Sequence, residues 1–294
     1  MGAFLYGLTI RLSRLVGYWP IRAFAWCVST AYFLLFPDRV RNSARFYQAL
    51  FPDRSERNCR RLAWRQFHQF TSVYVDRLKA INGVPFDFRE EGGELLRDAV
   101  ASNTGGVIVS SHLGNWELAA ILMMKKYKPR LLLYLGDEER KRLERRHKTD
   151  LVNEGITIVS VAAESATPFD LLDAVSFIRG GGFVSIAGDR IWSPQQQLTD
   201  VAFLGCQVRI PAAPFVLATL CRSPIFTFFM TLDGKGRYVL SFSRLEPIAT
   251  ASRAERDQAL RQTAQNYANL LAATARRYPT NWYHFEPFLG SPLR

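Results

Sequence analysis

From Gly105 onward, short apolar runs alternate with longer segments of helical period, and this alternation predicts the fold class. Each apolar run has the length of a buried strand. Strands that alternate with helices are typical of an α/β fold, so we predict a central mixed, mostly parallel sheet flanked by helices. The predicted strands are 107–109, 131–135, 156–161, 183–187 and the hairpin 225–232 with 237–243, and the predicted helices are 115–128, 137–153, 168–179 and 252–277.

The N-terminal part of the chain has a different pattern. Residues 3–16 carry apolar side chains at near-helical spacing, and residues 23–36 are uncharged and rich in Phe, Trp, Tyr and Leu. A helix of about 14 residues spans about 21 Å, which is less than the ~30 Å hydrocarbon core of a bilayer. The pattern favours an interfacial anchor or one marginal span, and a helical hairpin packed on the main domain is the alternative. We therefore predict a basic helical membrane-associating region at 1–80 and an α/β domain at 81–294.

Charge strengthens the membrane interpretation. The chain has 38 Lys and Arg against 26 Asp and Glu, a formal net charge of +12. Residues 1–65 hold eleven arginines and three acidic residues. Acidic partners are expected for such a surface: anionic membrane lipids, phosphorylated substrates or an acidic carrier protein. A second basic region at 125–148 could dock the same partners or be a solvated helix face.

Composition excludes other classes. With 48% hydrophobic residues the chain can bury a core, so it is not intrinsically disordered. Nucleic-acid binding is disfavoured because the basic residues accompany long apolar stretches and no DNA- or RNA-binding module is present. The four cysteines (Cys27, Cys59, Cys206 and Cys221) have no metal-ligand spacing, and we predict no metal site.

His112 and Glu117 form the main candidate catalytic pair. They lie in the stretch Ser-Ser-His-Leu-Gly-Asn-Trp-Glu, after a predicted strand and at the start of a predicted helix. If His112 lies in the turn, with Gly114 allowing the turn and Asn115 capping the helix, then Glu117 can reach the imidazole. A carboxylate at one ring nitrogen fixes the tautomer and leaves the other nitrogen to accept a proton, as a general base does. A structural histidine at a strand end is the alternative.

Asp189 and Arg190 follow the predicted strand 183–187, where α/β enzymes place active-site loops. A guanidinium at this position can bind a phosphate, with Asp189 holding it in place. A surface ion pair is the alternative. Of the remaining histidines, His147 and His284 have structural interpretations, as part of a solvated helix face and of C-terminal aromatic packing. His68 could face the substrate groove from an N-terminal helix, but the sequence reveals no partner for it.

The stretch Ser-His-Leu-Gly-Asn-Trp-Glu resembles the His-x-x-x-x-Asp/Glu motif of glycerolipid acyltransferases, in the version of bacterial late lipid A acyltransferases of the lauroyl/myristoyl type. The resemblance covers nearly the whole chain, because 187–190, 203–205, 210–211 and 279–283 occur in the order of that family. One stretch departs from it: strand 131–135 ends in Gly-Asp-Glu-Glu instead of Tyr-Arg. The Gly-Asp-Arg variant is similar to superfamily members that acylate other glycolipids, lysophospholipids or polyene-type lipids, so the acceptor stays open.

The resemblance implies a membrane-associated O-acyltransferase at the cytoplasmic face of the bacterial inner membrane. It would move a fatty acyl chain from acyl carrier protein or coenzyme A, as co-substrate, to a hydroxyl of a lipid or glycolipid, with no other cofactor. His112 would deprotonate the hydroxyl and Glu117 would support its imidazole. Asn115 and N–H groups at the helix start would hold the carbonyl oxygen, and Asp189 with Arg190 would bind the acceptor.

Two other functions stay open. The chain could hydrolyse acyl thioesters, or it could be a non-catalytic basic module that recruits a partner to anionic membranes.

Overall fold

A computed structural model describes residues 17–136, 156–161, 168–191, 195–246 and 252–293. The helices are α1 (Trp19–Leu35), α2 (Pro37–Leu50), α3 (Glu56–Ile81), α4 (Gly93–Ala101), α5 (Trp116–Tyr127), α6 (Pro168–Arg179), α7 (Ala213–Cys221) and α8 (Arg253–Arg277), followed by a 3₁₀ turn at Pro279–Asn281. The strands are β1 (Phe88–Glu91), β2 (Gly106–Ser110), β3 (Leu131–Gly136), β4 (Thr157–Val161), β5 (Phe183–Ala187), β6 (Leu198–Phe203), β7 (Cys206–Pro211), β8 (Ile225–Leu232) and β9 (Tyr238–Leu245).

Seven strands form one central sheet in the order β1-β9-β8-β2-β5-β3-β4. Neighbouring strands run parallel except β8 and β9, which form an antiparallel hairpin. The predicted α/β fold with a mixed, mostly parallel sheet is therefore confirmed. Strands β2 and β5 lie side by side at its centre although β3 and β4 lie between them in the chain.

Both faces of the sheet are buried, as the continuous apolar strands predict. Side chains alternate along β2: Val107 and Val109 join the core that contains residues of α1, α2, α3 and α8, while Ile108 joins the core beneath α4 and α5. The N-terminal helices therefore share a core with the sheet through residues such as Phe33, Tyr47 and Phe67. The division of the chain at residue 80 stays a prediction.

Most predicted elements are present. The hairpin, the long C-terminal helix and the helix after the His112 motif agree with the prediction to within a few residues. The predicted helix at 137–153 lies outside the described residues. The sequence pattern did not predict β1, α4, α7 or the separate β6–β7 hairpin. The turn of that hairpin, at Leu204 and Gly205, has positive φ at both residues, as the favoured tight hairpin turn requires.

Helices α1 and α2 meet at 91°, with Pro37 at the first turn of α2. Within the described ranges no single helix has the length and apolar character to cross a membrane, and α1 with α2 meets that test only as a bent pair. Helix α1 nevertheless leaves large apolar side chains in solvent: Trp19, Phe24 and Leu35 are each more than 70% exposed.

Candidate active site

The site forms where the carboxyl ends of β2 and β5 lie together. Ser110 is in register with Ala187, the last residue of β5, and the N–H of Gly188 donates to the Ser110 carbonyl at 2.8 Å. His112 and Asp189 each follow two residues beyond these strand ends. The parallel register thus brings together two residues that are 77 positions apart in sequence.

The loop that carries His112 is fixed by main-chain hydrogen bonds. The N–H of Gly114 donates to the Asn281 carbonyl and the N–H of Asn115 to the Met230 carbonyl, both at 2.7 Å. The carbonyl of His112 accepts from the N–H of Tyr283 at 2.9 Å. Gly114 has φ of 86°, and a Cβ there would overlap the Met230 carbonyl, so only glycine fits this turn.

Asp189 holds His112 at two points. Its Oδ2 accepts from the His112 main-chain N–H at 2.7 Å, and its Oδ1 accepts from Nδ1 of the ring at 2.9 Å. Because an ionised carboxylate only accepts hydrogen bonds, the proton of the neutral ring lies on Nδ1 and Nε2 keeps its lone pair. The His112 side chain is 19% exposed, whereas that of Asp189 is fully buried.

The buried carboxylate of Asp189 stays ionised because donors surround it. Trp282 Nε1–H also donates to Oδ2, at 3.0 Å. Burial by itself would raise the pKa of Asp189, but the positive charge that His112 carries when protonated, together with the hydrogen bonds from His112 and Trp282, outweighs burial and lowers the pKa to about 2. A negative charge therefore lies permanently behind the imidazole at neutral pH.

Arg190 lies on the other side of the ring. Its Nη1 is 3.4 Å from Nε2 of His112, and the side chain is half-buried. The described geometry thus arranges Asp189, the imidazole and the guanidinium in sequence across the mouth of the site. Asp189, which was expected to hold Arg190, binds His112 and Trp282 instead.

Glu117 lies in the first turn of α5, as predicted, but its carboxylate pairs with Arg77 of α3 at 2.7 Å. Both side chains are largely buried. The carboxylate at Nδ1 of His112, a position expected for Glu117, is that of Asp189. The helix start directs Glu117 toward α3, and Arg77 is a neighbour that the sequence analysis missed because nothing local links the two.

Asn115 caps α5, also as predicted: its Oδ1 accepts from the Leu118 N–H at 3.1 Å. Its side chain is buried, at 2% exposure. The structure therefore shows Asn115 as a structural cap, and its substrate-binding role stays a prediction.

The other histidines have distinct surroundings. His68 packs between Trp26 and Trp64, and its Nε2 lies 3.0 Å from the Thr30 hydroxyl. His284 lies next to the site, with its ring centroid 6.2 Å from that of His112, and among the described residues its buried Nδ1 has no hydrogen-bond partner. Burial lowers the pKa of His284, with Asp189 opposing the shift. His147 lies outside the described residues.

No cluster of three or more His, Cys, Asp or Glu side chains that could hold a metal ion occurs within the ranges that the structure describes. The site brings together an imidazole nitrogen at Nε2, a buried carboxylate behind the ring and a cation beside it. This combination suits proton abstraction from a hydroxyl and attack on a carbonyl carbon.

A family model described as "Bacterial lipid A biosynthesis acyltransferase" matches residues 2–289. No curated protein matches the chain.

Proposed function

The chain belongs to the bacterial lipid A biosynthesis acyltransferase family and is an acyltransferase that acts on a lipid acceptor; on that premise we propose how it does so. It moves a fatty acyl chain from an acyl thioester, of acyl carrier protein or coenzyme A, to a hydroxyl of a lipid or glycolipid. The observation that carries this proposal is the His112–Asp189 pair, which leaves Nε2 as a base at the carboxyl ends of two central strands.

The proposed reaction has two steps. Nε2 of His112 accepts the proton of the acceptor hydroxyl while the hydroxyl oxygen attacks the thioester carbonyl carbon, which gives a tetrahedral intermediate with a negative oxygen. The intermediate then reforms its carbonyl, the C–S bond breaks, and the thiolate takes the proton from the imidazolium. An ester and a free thiol result, and His112 is restored. Asp189 orients the ring and stabilises the imidazolium in both steps.

Glu117 supports His112 indirectly in this proposal. Its ion pair with Arg77 holds α5 against α3 and so fixes the loop that precedes α5. Asn115 acts in the same way through its cap of α5. These two side chains are thus positioning residues, whereas His112 contacts the reacting hydroxyl.

We propose an acidic acyl carrier protein as the donor partner because the chain carries a net charge of +12. Charge complementarity of this kind accelerates association and orients the partner. The acceptor is proposed to be a lipid hydroxyl of lipid A precursors, another glycolipid or a lysophospholipid, and the acyl-chain length is left to the experiment below.

Attachment to the cytoplasmic face of the inner membrane is also a proposal, and the surface of α1 supports it. Exposed Trp19, Phe24 and Leu35 can insert among acyl chains. Helices α2 and α3 are also rich in arginine, and such positive charge attracts anionic headgroups. We propose an interfacial attachment because no single described helix has the length and apolar character of a membrane span. The alternative is that the bent α1–α2 pair inserts into the bilayer.

The test is mass spectrometry of total lipids from cells that express the wild-type chain, His112→Ala or His68→Asn at matched levels. His68 packs away in an aromatic cluster and provides a matched histidine control. We expect one lipid to gain a fatty acyl mass with wild type and His68→Asn but not with His112→Ala. Identical profiles from all three chains would contradict the proposal.

The same experiment separates the two other functions. A thioester hydrolase would release free fatty acid with no lipid gaining mass. A recruitment module would keep its cellular effect in the His112→Ala variant.

A further inference from the structure

During acyl transfer from a thioester, negative charge develops on the carbonyl oxygen, and a hydrogen-bond donor or a cation must stabilise it. In many enzymes main-chain N–H groups of the loop beside the base supply it. Here the N–H groups of that loop are engaged within the protein: that of His112 donates to Asp189, that of Leu113 to the Ser111 hydroxyl, and those of Gly114 and Asn115 to carbonyl groups. These four N–H groups are therefore not available to the carbonyl oxygen.

The Asn115 side chain is also committed. Its Oδ1 accepts the hydrogen bond that caps α5, and the residue is 2% exposed. Its Nδ2, the atom that could donate to a carbonyl oxygen, is itself buried, so a carbonyl oxygen could reach it only after the start of α5 moves. A different donor lies closer to the reacting atoms.

Arg190 is that donor. A guanidinium has five N–H donors and no acceptor, and Nη1 of Arg190 lies 3.4 Å from Nε2 of His112. The acceptor hydroxyl must come to Nε2 to give up its proton. The hydroxyl oxygen, which contacts Nε2, then bonds to the carbonyl carbon of the thioester. The carbonyl oxygen is therefore only two covalent bonds from the atom that contacts Nε2. The guanidinium is within reach of that oxygen.

We propose that Arg190 is a catalytic residue whose guanidinium stabilises the oxyanion of the tetrahedral intermediate. This inference rests on the proposed function. The charges then alternate through the site, from the Asp189 carboxylate to the His112 imidazolium, the oxyanion and the Arg190 guanidinium. Two charges form during the reaction, on the imidazolium and on the oxyanion. The imidazolium lies between the Asp189 carboxylate and the oxyanion, and the oxyanion lies between the imidazolium and the guanidinium.

This role differs from binding a phosphate of the acceptor, and the two can be separated. A residue that binds the acceptor affects the rate only when the acceptor is present, and its replacement raises the KM for the acceptor. A residue that stabilises the oxyanion matters for every nucleophile, including water, and its loss lowers kcat.

The experiment measures thiol release by the full chain from a long-chain acyl thioester of coenzyme A and, in parallel, of acyl carrier protein, each with and without total host lipid in detergent micelles. The variants are Arg190→Gln and Arg190→Lys, and the matched control is Arg209→Gln, an exposed arginine of β7. Thermal unfolding of each variant verifies folding. We expect Arg190→Gln to lower kcat by about 10²–10³ in both conditions with the donor KM changed little. Added guanidinium ion should restore part of the loss, which a folding defect would not allow.

Two outcomes would overturn the inference. If Arg190→Gln raises only the acceptor KM and leaves kcat and thioester hydrolysis unchanged, Arg190 binds the acceptor and the oxyanion is stabilised elsewhere. If the wild-type chain releases no thiol with or without lipid, the proposed function fails and the inference fails with it. The wild-type and His112→Ala rates distinguish these cases.

Discussion

Asp189 binds His112 twice, through the main-chain N–H and through Nδ1 of the ring. The first bond fixes the loop and the second fixes the tautomer, so one buried carboxylate sets both the position of the imidazole and the ring nitrogen that carries its proton. Asp189 thus makes the contact with the imidazole that the sequence suggested for Glu117.

Replacement of Asp189 by Asn keeps the size of the side chain and removes its charge. The amide can also bind His112 in the wrong tautomer, so we expect kcat/KM to fall by about 10³–10⁴ while the chain still folds. Steady-state kinetics on the purified variant, together with circular dichroism, provide the measurement. Activity within tenfold of wild type would show that Asp189 does not orient the base.

Trp282→Phe removes one hydrogen bond to Asp189 and keeps an aromatic ring in the core. A hydrogen bond to a buried charge contributes about 1.5–3 kcal/mol, so we expect measurable loss of both stability and activity. A double-mutant cycle with Asp189→Asn separates this bond from the packing of the ring. Additive effects of the two substitutions would contradict the coupling.

The pair Arg77–Glu117 should stabilise the fold more than a surface pair does. Its side chains are 13% and 18% exposed, against 64% and 69% for Arg97 and Asp98. We expect Arg77→Met and Glu117→Gln each to cost about 1–3 kcal/mol, and the double variant less than their sum.

Arg97→Met is the matched control for that pair and should cost less than about 1 kcal/mol. Urea unfolding gives all four values. If Glu117 acts through its pair with Arg77, the two single variants should also lose activity to a similar extent. A much greater loss in Glu117→Gln alone would indicate direct contact of Glu117 with the reacting groups.

His284 should weaken the fold as pH falls. Burial lowers its pKa below 6.5, with Asp189 opposing and His112 and Arg190 reinforcing the shift. The unfolded chain therefore takes up a proton at His284 first as pH falls below about 6.5, and stability is lost in that window. His284→Phe removes this dependence. Urea unfolding at pH 8 and pH 5.5 should show wild type losing more stability than the variant, and equal losses would contradict the prediction.

The exposed apolar side chains of α1 should carry membrane binding. Phe24→Asp with Leu35→Asp places two charges on that surface, and we expect co-sedimentation with anionic vesicles to fall at least about tenfold. Leu172→Asp, at an exposed position of α6, is the control and should bind as wild type does. Equal binding by all three chains would place the attachment elsewhere.

The local pattern of the sequence determined most elements and the position of the candidate base. Buried strands and amphipathic helices follow from periods of two and 3.6 residues, which neighbouring residues alone define. The turn at Gly114, the cap at Asn115 and the place of His112 after β2 are local in the same sense, and the structure has all three.

The partners of those residues were decided by the tertiary structure. Asp189 reaches His112 because β5 pairs with β2 and lies between β2 and β3 in the sheet, although it follows β3 and β4 in the chain. The spacing of residues within one segment does not encode this strand order. Trp282 joins them because the main chain at His112 and Tyr283 is hydrogen-bonded across 171 residues. Glu117 turns to Arg77 because α3 packs against the start of α5. The spacing of residues in the sequence determines which side chains share a turn. Only the packing of distant segments decides that the carboxylate of Asp189, and not that of Glu117, contacts the His112 imidazole.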